Sequence, residues 1–323
     1  MNDWQPDVLG DGYQQRVLPL GADPDGEGDI AATLVRRDVT GHAERAVIFV
    51  HGFTDYFFQT ELADFFNDRG YAFYALDLRK CGRSRKPGQT PHYVSDLKLY
   101  DAELGRALAI VREETGDAPV LLVAHSTGGL VASLWLDRLQ RAGGSKATGV
   151  FGLVLDSPWF DLQGKPAMRS YVTQAVRVFA KLVPKKVMPV GISDAYGASL
   201  HVSGHGEWEY DTELKPLNGF RVTFGWLNAI RRGQARLHKG LEVGVPALVL
   251  HSDKSWFSAT WSEKSAVSDT VLDVEQIAAW APSLGRDVTT VVIPDGMHDL
   301  FLSREQPRKA TYAAIEEWLG GRA

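Results

Sequence analysis

Short, solid apolar runs alternate along this chain with longer stretches in which apolar residues recur every three or four positions. Residues 46–50 (Ala-Val-Ile-Phe-Val), 71–76 (Tyr-Ala-Phe-Tyr-Ala-Leu), 120–123 (Val-Leu-Leu-Val), 150–155 (Val-Phe-Gly-Leu-Val-Leu) and 245–250 (Val-Pro-Ala-Leu-Val-Leu) are runs of the first kind. Their length and their β-branched and aromatic content predict strands buried on both faces. The second kind predicts helices. Thr60 to Arg69 carries Leu62, Phe65 and Phe66 on one face and stops at Gly70. Tyr93 to Thr115 carries Leu97, Tyr100, Leu104, Leu108 and Val111, and the stretch after residue 126 carries Leu130, Leu134 and Leu136 before Gly143-Gly144. Strands alternating with helices predict the α/β class, with a mostly parallel, doubly wound sheet and ligands at the carboxyl ends of its strands.

Two further strands are expected at 12–20 and 29–37, on either side of the turn-forming segment Gly21 to Gly28, as an antiparallel edge. The alternation stops after residue 157. Residues 158–240 read as helices and loops without a central strand, and then 245–250 resumes the pattern. A long connection, 251–269, leads to a helix from Val274 to Leu284, a last strand from Val288 to Ile293 and a closing helix from Arg304 to Leu319. The predicted organisation is therefore a core (1–157), an inserted helical cap or lid (158–240) and the rest of the core (241–323). In the insertion, Val172, Val176, Phe179 and Val183 form an apolar stripe near Lys181, Lys185 and Lys186. It reads as a helix packed on its own core, the other reading being a lid face that touches lipid or acyl chains. No internal repeat or low-complexity tract is visible.

Composition narrows the class. With 323 residues, 44% hydrophobic and 23% charged, the chain has the make-up of a soluble globular protein. A net charge of −5 and the lack of a basic run give no reason to expect a nucleic-acid partner. No apolar run approaches the ~18 residues needed to cross a bilayer, so no stable membrane insertion is expected. The start, Met1-Asn-Asp-Trp-Gln-Pro-Asp7, lacks a basic and an apolar region, so no signal peptide is expected and the expected location is cytoplasmic. A single cysteine, Cys81, excludes an intramolecular disulfide. Nothing in the pattern reports an oligomeric state.

The candidate chemistry is concentrated where the 120–123 strand ends. Ala124-His125-Ser126-Thr127-Gly128-Gly129 separates it from the helix that follows. A serine in a tight strand-to-helix turn, with small residues two before and two after, has the form of a nucleophile elbow. The helix behind it points its N-terminal amides at the reacting group. The alternative is an ordinary solvent-facing serine in a strand-turn-helix.

His-Ser-Thr-Gly-Gly on such a strand resembles the α/β-hydrolase fold, and most the branch that holds monoglyceride lipases, lysophospholipases and serine aminopeptidases. Ala124 departs from the pattern, since glycine is usual there. The resemblance covers nearly the whole chain. It implies that His51-Gly52-Phe53 follows the strand supplying half of an oxyanion hole, with the amides of Phe53 and Thr127 as donors and His51 as a loop anchor. It implies loop architecture for Asp77, Arg79 and Ser84 in Asp77-Leu-Arg-Lys-Cys-Gly-Arg-Ser84, where Lys80 and Cys81 replace the common glycine and histidine. Cys81 reads as a buried or half-buried thiol. The base would be His298, in a Gly-x-His loop after the last strand. For the acid, Asp253 lies just past its strand and Asp273 falls where a helix begins. Asp269 is the choice, because an apolar pair and then a helix follow it, as is usual in the family. Residues 254–268 would then be an insertion carrying Trp256, Phe257 and Trp261 toward the cap.

The order Ser126, Asp269, His298 is that of α/β-hydrolases, and it implies a serine hydrolase of carboxylic esters working through an acyl-enzyme. Acylglycerol-like, lysophospholipid-like or other small-molecule esters with an apolar acyl group would be the substrates. His125, Trp159, Trp208 and Trp226, with Phe220 and Phe224 nearby, are the expected substrate contacts. No metal or organic cofactor is implied. A second reading is an aminopeptidase, whose substrate amine would need the cap carboxylates Glu207, Glu209 and Glu213. A third is a non-catalytic binding protein, against which an intact triad argues.

Overall fold

The computed structural model describes residues 3–38, 43–144, 148–189 and 193–322. Among them, β1 (Gln5–Pro6), β2 (Tyr13–Ala22) and β3 (Asp29–Arg37) form an antiparallel edge. β4 (Arg45–Val50), β5 (Tyr71–Asp77), β6 (Val120–His125), β7 (Val150–Asp156), β8 (Ala247–Ser252) and β9 (Val288–Ile293) run parallel to one another. The strands stand in the order β1-β2-β3-β5-β4-β6-β7-β8-β9. The sheet is thus mostly parallel, as expected, with an antiparallel edge.

The solid apolar runs are explained by burial on both faces. Along β4, Ile48 and Val50 join the core that packs under α2 (Asp101–Glu114) and α3 (Thr127–Ala142). Val47 and Phe49 join a second core under α1 (Thr60–Asn67) and α8 (Glu305–Gly320). Period-2 side chains on a central strand need an apolar partner on each side. β9, at the edge, is half exposed and accordingly mixes Thr289 and Thr290 with valines.

Several boundaries differ from expectation. The helix predicted from Tyr93 begins at Asp101, after a 3-10 turn at 97–100 whose start is capped by the Asp96 carboxylate accepting from the Lys98 N–H. Residues 90–95 instead bond to the β2–β3 turn, through Thr90 N–H to Glu27 and Ser95 N–H to Asp25. The eighth strand starts at Ala247 rather than Val245, after Pro246. The helix from Val274 ends at Trp280, where Pro282 turns the chain into a 3-10 turn at 281–284. Lys80, in place of a family glycine, has φ +60°, the left-handed region that favours glycine. Its buried ammonium lies 2.5 Å from Asp23 and 3.0 Å from Glu27.

Between β7 and β8 the described residues form α4 (Pro166–Leu182), α5 (Ala195–Leu200) and α6 (Phe224–Leu237). Of the expected stripe on and just after α4, Val176 is buried and Val172 packs on the core, whereas Phe179 and Val183 stay exposed, Phe179 stacking on Phe224 of α6 with ring centroids 4.9 Å apart. A neighbouring face that the pattern did not single out, with Met168, Tyr171, Val178 and Leu182, is exposed. The helix after β8 is α7 (Val274–Trp280).

Candidate active site

Ser126 sits at the end of β6 with φ 53° and ψ −118°, a conformation that tight elbows impose and ordinary loops avoid. The turn closes because Gly128 has no side chain: a Cβ there would stand 2.4 Å from the backbone oxygen of His51. Ser126 N–H donates to Asp156 O (2.9 Å), tying the elbow to β7. The side chain is buried. Ser126 Oγ lies 3.0 Å from His298 Nε2, and His298 Nδ1 lies 2.9 Å from Asp269 Oδ2. The other Asp269 oxygen accepts from the N–H groups of Val271 (2.8 Å) and Leu272 (2.7 Å), which fixes the carboxylate's plane.

The three carboxylates considered for the acid have separate surroundings. Asp253 is exposed, accepts from Asp295 N–H and pairs with Lys254. Asp273 caps α7 by accepting from Glu275 N–H. Asp269 alone of the three meets the histidine.

The loop after β4 faces Ser126. His51 Nδ1 bonds Gly52 O (2.7 Å) and its Nε2 accepts from Leu78 N–H (3.1 Å), so His51 anchors the loop, as expected. Gly52 O belongs to the peptide unit that carries the Phe53 N–H. Phe53 and Thr127 both line the cavity above Ser126, and among the described residues neither N–H has a protein acceptor. Gly52 is needed for this approach, since a Cβ would come within 3.0 Å of Ser126 Cβ. Asp77, Arg79 and Ser84 have architectural partners: Phe57 N–H and Arg83, Glu103, and Asp77 O, respectively. Burial pushes the Cys81 thiol well above its ordinary range.

The cavity holds about 270 Å³, just under the roughly 300–1,000 Å³ of typical small-molecule sites. His125, Trp159 and Trp226, three of the four expected substrate contacts, line it together with Leu162, Leu217 and Val222. Trp208 does not line it. Its Nε1 donates to Leu302 O and its ring carries Arg308, so it is a structural contact. Phe220 packs on His92, and Phe224 on Phe179. Of the tryptophans and phenylalanine in 254–268, Trp261 reaches the segment between β7 and β8 by stacking on His205 (3.5 Å), Lys264 covers Trp256, and Phe257 is exposed.

Glu207, Glu209 and Glu213 are exposed and outside the cavity, whose lining contains no carboxylate among the described residues. It contains a lysine instead. Lys215 Nζ lies 2.7 Å from Asp55 Oδ1, both side chains buried, with the rings of Phe58, Tyr196 and Tyr210 at 5.4–5.9 Å. Asp55 Oδ2 is 3.6 Å from His125 Nδ1, which is 3.9 Å from Asp299 Oδ2. Burial raises the Asp55 carboxyl, but Lys215 and His125 outweigh it and hold the group well below its usual range. Burial lowers the His125 imidazolium, yet Asp299 and Asp55 win and lift it to about 9. Asp55, His125 and Asp299 have donor atoms close enough for a metal ion. The Lys215 ammonium on one Asp55 oxygen and the favoured proton on His125 suit this group to internal ion pairing instead. The sequence pattern missed this network. Its members adjoin Phe53, Ser126 and His298, which was the available signal; Lys215, whose partner is 160 positions away, gave none.

The family model described as "Serine aminopeptidase, S33" matches residues 41–305. The chain belongs to this α/β-hydrolase family. A search of curated proteins by sequence finds no match. A soluble variant of monoglyceride lipase from Saccharomyces cerevisiae, solved with a substrate analog, superposes with a TM-score of 0.65 at 16% identity, over 99% of this chain and 94% of that one. The monoacylglycerol lipase of Paleococcus ferrophilus gives 0.62 at 19% identity, over 90% and 99%. A carboxyl esterase from Bacillus coagulans, in complex with glycerol, gives 0.60 at 15% identity, over 95% and 98%. At these identities the likeness speaks for the fold.

Proposed function

We propose that this family member is a serine hydrolase that cleaves carboxylic esters with an apolar acyl group through an acyl-enzyme on Ser126. The observation that carries the reading is the line from Ser126 Oγ through His298 to Asp269, at the wall of a largely apolar cavity. His298 Nε2 takes the Oγ proton as Oγ attacks the ester carbonyl carbon. Asp269 holds the Nδ1–H tautomer and balances the imidazolium. The carbonyl electrons move to oxygen, which the Phe53 and Thr127 N–H groups receive. Collapse expels the alkoxide, protonated by His298, and leaves the acyl group on Ser126. Water, deprotonated by His298, then releases the carboxylic acid and restores the serine.

The ester reading is favoured over an aminopeptidase by the charge of the cavity. A substrate ammonium needs a carboxylate, but the lining offers Lys215, and Asp55, the acid beside that lysine, is already paired with it. Monoacylglycerols and lysolipids remain the substrates proposed first, and a cytoplasmic setting goes with that proposal. The test is a panel of p-nitrophenyl esters of rising chain length beside aminoacyl-nitroanilides, with fluorophosphonate labelling of Ser126. Faster turnover of any anilide than of every ester would reverse the assignment. A chain that neither reacts with the probe nor turns over any substrate would leave only the binding-protein reading.

A further inference from the structure

The loop carrying Phe53 is joined almost residue by residue to the segment that leads into α6. Phe53 packs on Trp226 in the first turn of α6, with ring centroids 4.0 Å apart and the planes tilted by 32°. Thr54 Oγ1 accepts from Phe220 N–H at 2.8 Å. Asp55 Oδ1 takes the Lys215 ammonium at 2.7 Å. Tyr56 Oη accepts from Asp211 N–H at 2.9 Å, and Phe58 packs on Tyr210 with centroids 4.7 Å apart. Phe57 alone in this stretch turns inward, onto Phe49 and Phe73.

Two observations show that this loop needs such support. Thr54 has φ +55°, and a β-branched residue keeps a left-handed backbone only where its surroundings over-determine it. Its own hydroxyl takes the bond from Phe220. Asp55 is fully buried, and a buried carboxylate persists only with its counter-charges, here Lys215 and His125. On the other side of Phe53, His51 fixes the peptide unit through Gly52 O. The Phe53 N–H is therefore clamped from the sheet by His51 and from the insertion by Phe220 and Lys215.

We infer that Thr54 and Lys215 are positioning residues for catalysis: the 210–226 segment, when seated, aims the Phe53 N–H at the developing oxyanion. The insertion then does more than cover the cavity, because it completes one of the two oxyanion donors. This inference rests on the proposed ester hydrolysis and on Phe53 as a donor.

The readout must separate aiming from folding. A thionoester develops its charge on sulfur, which is larger and accepts hydrogen bonds weakly, so donors aimed at oxygen discriminate against it. Thr54→Val keeps the β-branch and removes the acceptor, Thr54→Ser keeps the acceptor, and Lys215→Gln removes the ammonium. Thr54→Val and Lys215→Gln should lower kcat for the oxygen ester about 10- to 100-fold. KM should stay within about threefold, and the oxygen-to-sulfur rate ratio should fall toward unity. Thr54→Ser should retain wild-type kcat and ratio. Equal losses on both esters with the ratio kept, a change in KM alone, or a Thr54→Ser as slow as Thr54→Val would overturn the inference. Should Lys215→Gln not fold, the Thr54 pair decides alone. Failure of the ester reading itself looks different, since wild type would then turn over neither ester.

Discussion

Asp269 and Ser255 form a parallel backbone bridge although a long excursion separates them in the chain. Asp269 N–H donates to Lys254 O (3.0 Å), and Trp256 N–H donates to Asp269 O (2.8 Å). The connection after β8 therefore leaves, loops out through 257–268 and returns to its own start. This return delivers Asp269 to the strand end that Asp253 already occupies, and turns it toward His298.

That relationship yields the first prediction. Asp269→Asn keeps an oxygen for the Val271 and Leu272 N–H groups, so the fold should survive. Its amide favours the wrong histidine tautomer, and kcat should fall by about 10⁴. Asp253→Asn should stay near wild type, because its carboxylate is exposed and meets Asp295 N–H. Steady-state kinetics and a melting curve on both variants decide; a full loss at Asp253→Asn would exchange their roles.

Ser126 holds a strained backbone, so removing its side chain should stabilise the fold as it abolishes chemistry. Ser126→Gly should gain about 1 kcal/mol, since glycine adopts φ 53° without a Cβ penalty, whereas Ser126→Ala should not. A chain of this size would show a rise in Tm of about 2 °C for the glycine variant. Both variants should lose fluorophosphonate labelling. A glycine variant no more stable than the alanine one would remove the claim of stored strain.

The two tryptophans once equivalent on sequence grounds should now behave differently. Trp226 lines the cavity and packs on Phe53, so Trp226→Ala should raise KM for the preferred acyl esters and lower kcat. Trp208→Ala removes a contact with Leu302 O and Arg308 and should lower Tm without altering chain-length preference. Ester series on both variants test this, and a selectivity change at Trp208→Ala would return it to the site.

The core of the fold was legible because central strands leave a strong mark: Val120 to Val123 is apolar on both faces for the reason given by its two cores. Ser126 and Gly128 were legible because the elbow tolerates few residue types. Helix starts were less so. The apolar positions of Leu97 and Tyr100 continue the α2 pattern, but Asp96 caps a 3-10 turn there and the preceding residues serve the β2–β3 turn instead. Trp208 lies outside the cavity because an aromatic near a pocket in sequence carries no direction; its indole finds Arg308 on the closing helix. Lys215 was invisible because a lysine reads as surface until a buried carboxylate is placed beside it. Periodicity reports which face is apolar, not which charges from distant loops will meet behind Ser126.

The same buried network predicts how stability depends on pH. His125 is held between Asp55 and Asp299, with Lys215 beyond Asp55, Asp156 nearby and the His298 ring 4.8 Å away. Burial pulls its pKa down, but the carboxylates raise it from the usual 6.5 to about 9. Below pH 6.5 both folded and unfolded chains carry the proton, and the stabilisation is present in full. Between 6.5 and 9 the unfolded chain releases the proton while the folded chain keeps it, so stability falls as pH rises. Above 9 the folded chain releases it too, and the contribution is gone. Asp156, pushed upward by burial, also favours the folded state at lower pH, so comparison with His125→Gln is needed to isolate the imidazole. Wild-type Tm should drop more steeply from pH 6.5 to 9 than that of His125→Gln. Parallel profiles for the two proteins would mean that His125 is already neutral in the folded state, and that the Asp55–His125–Asp299 group is held by Lys215 alone.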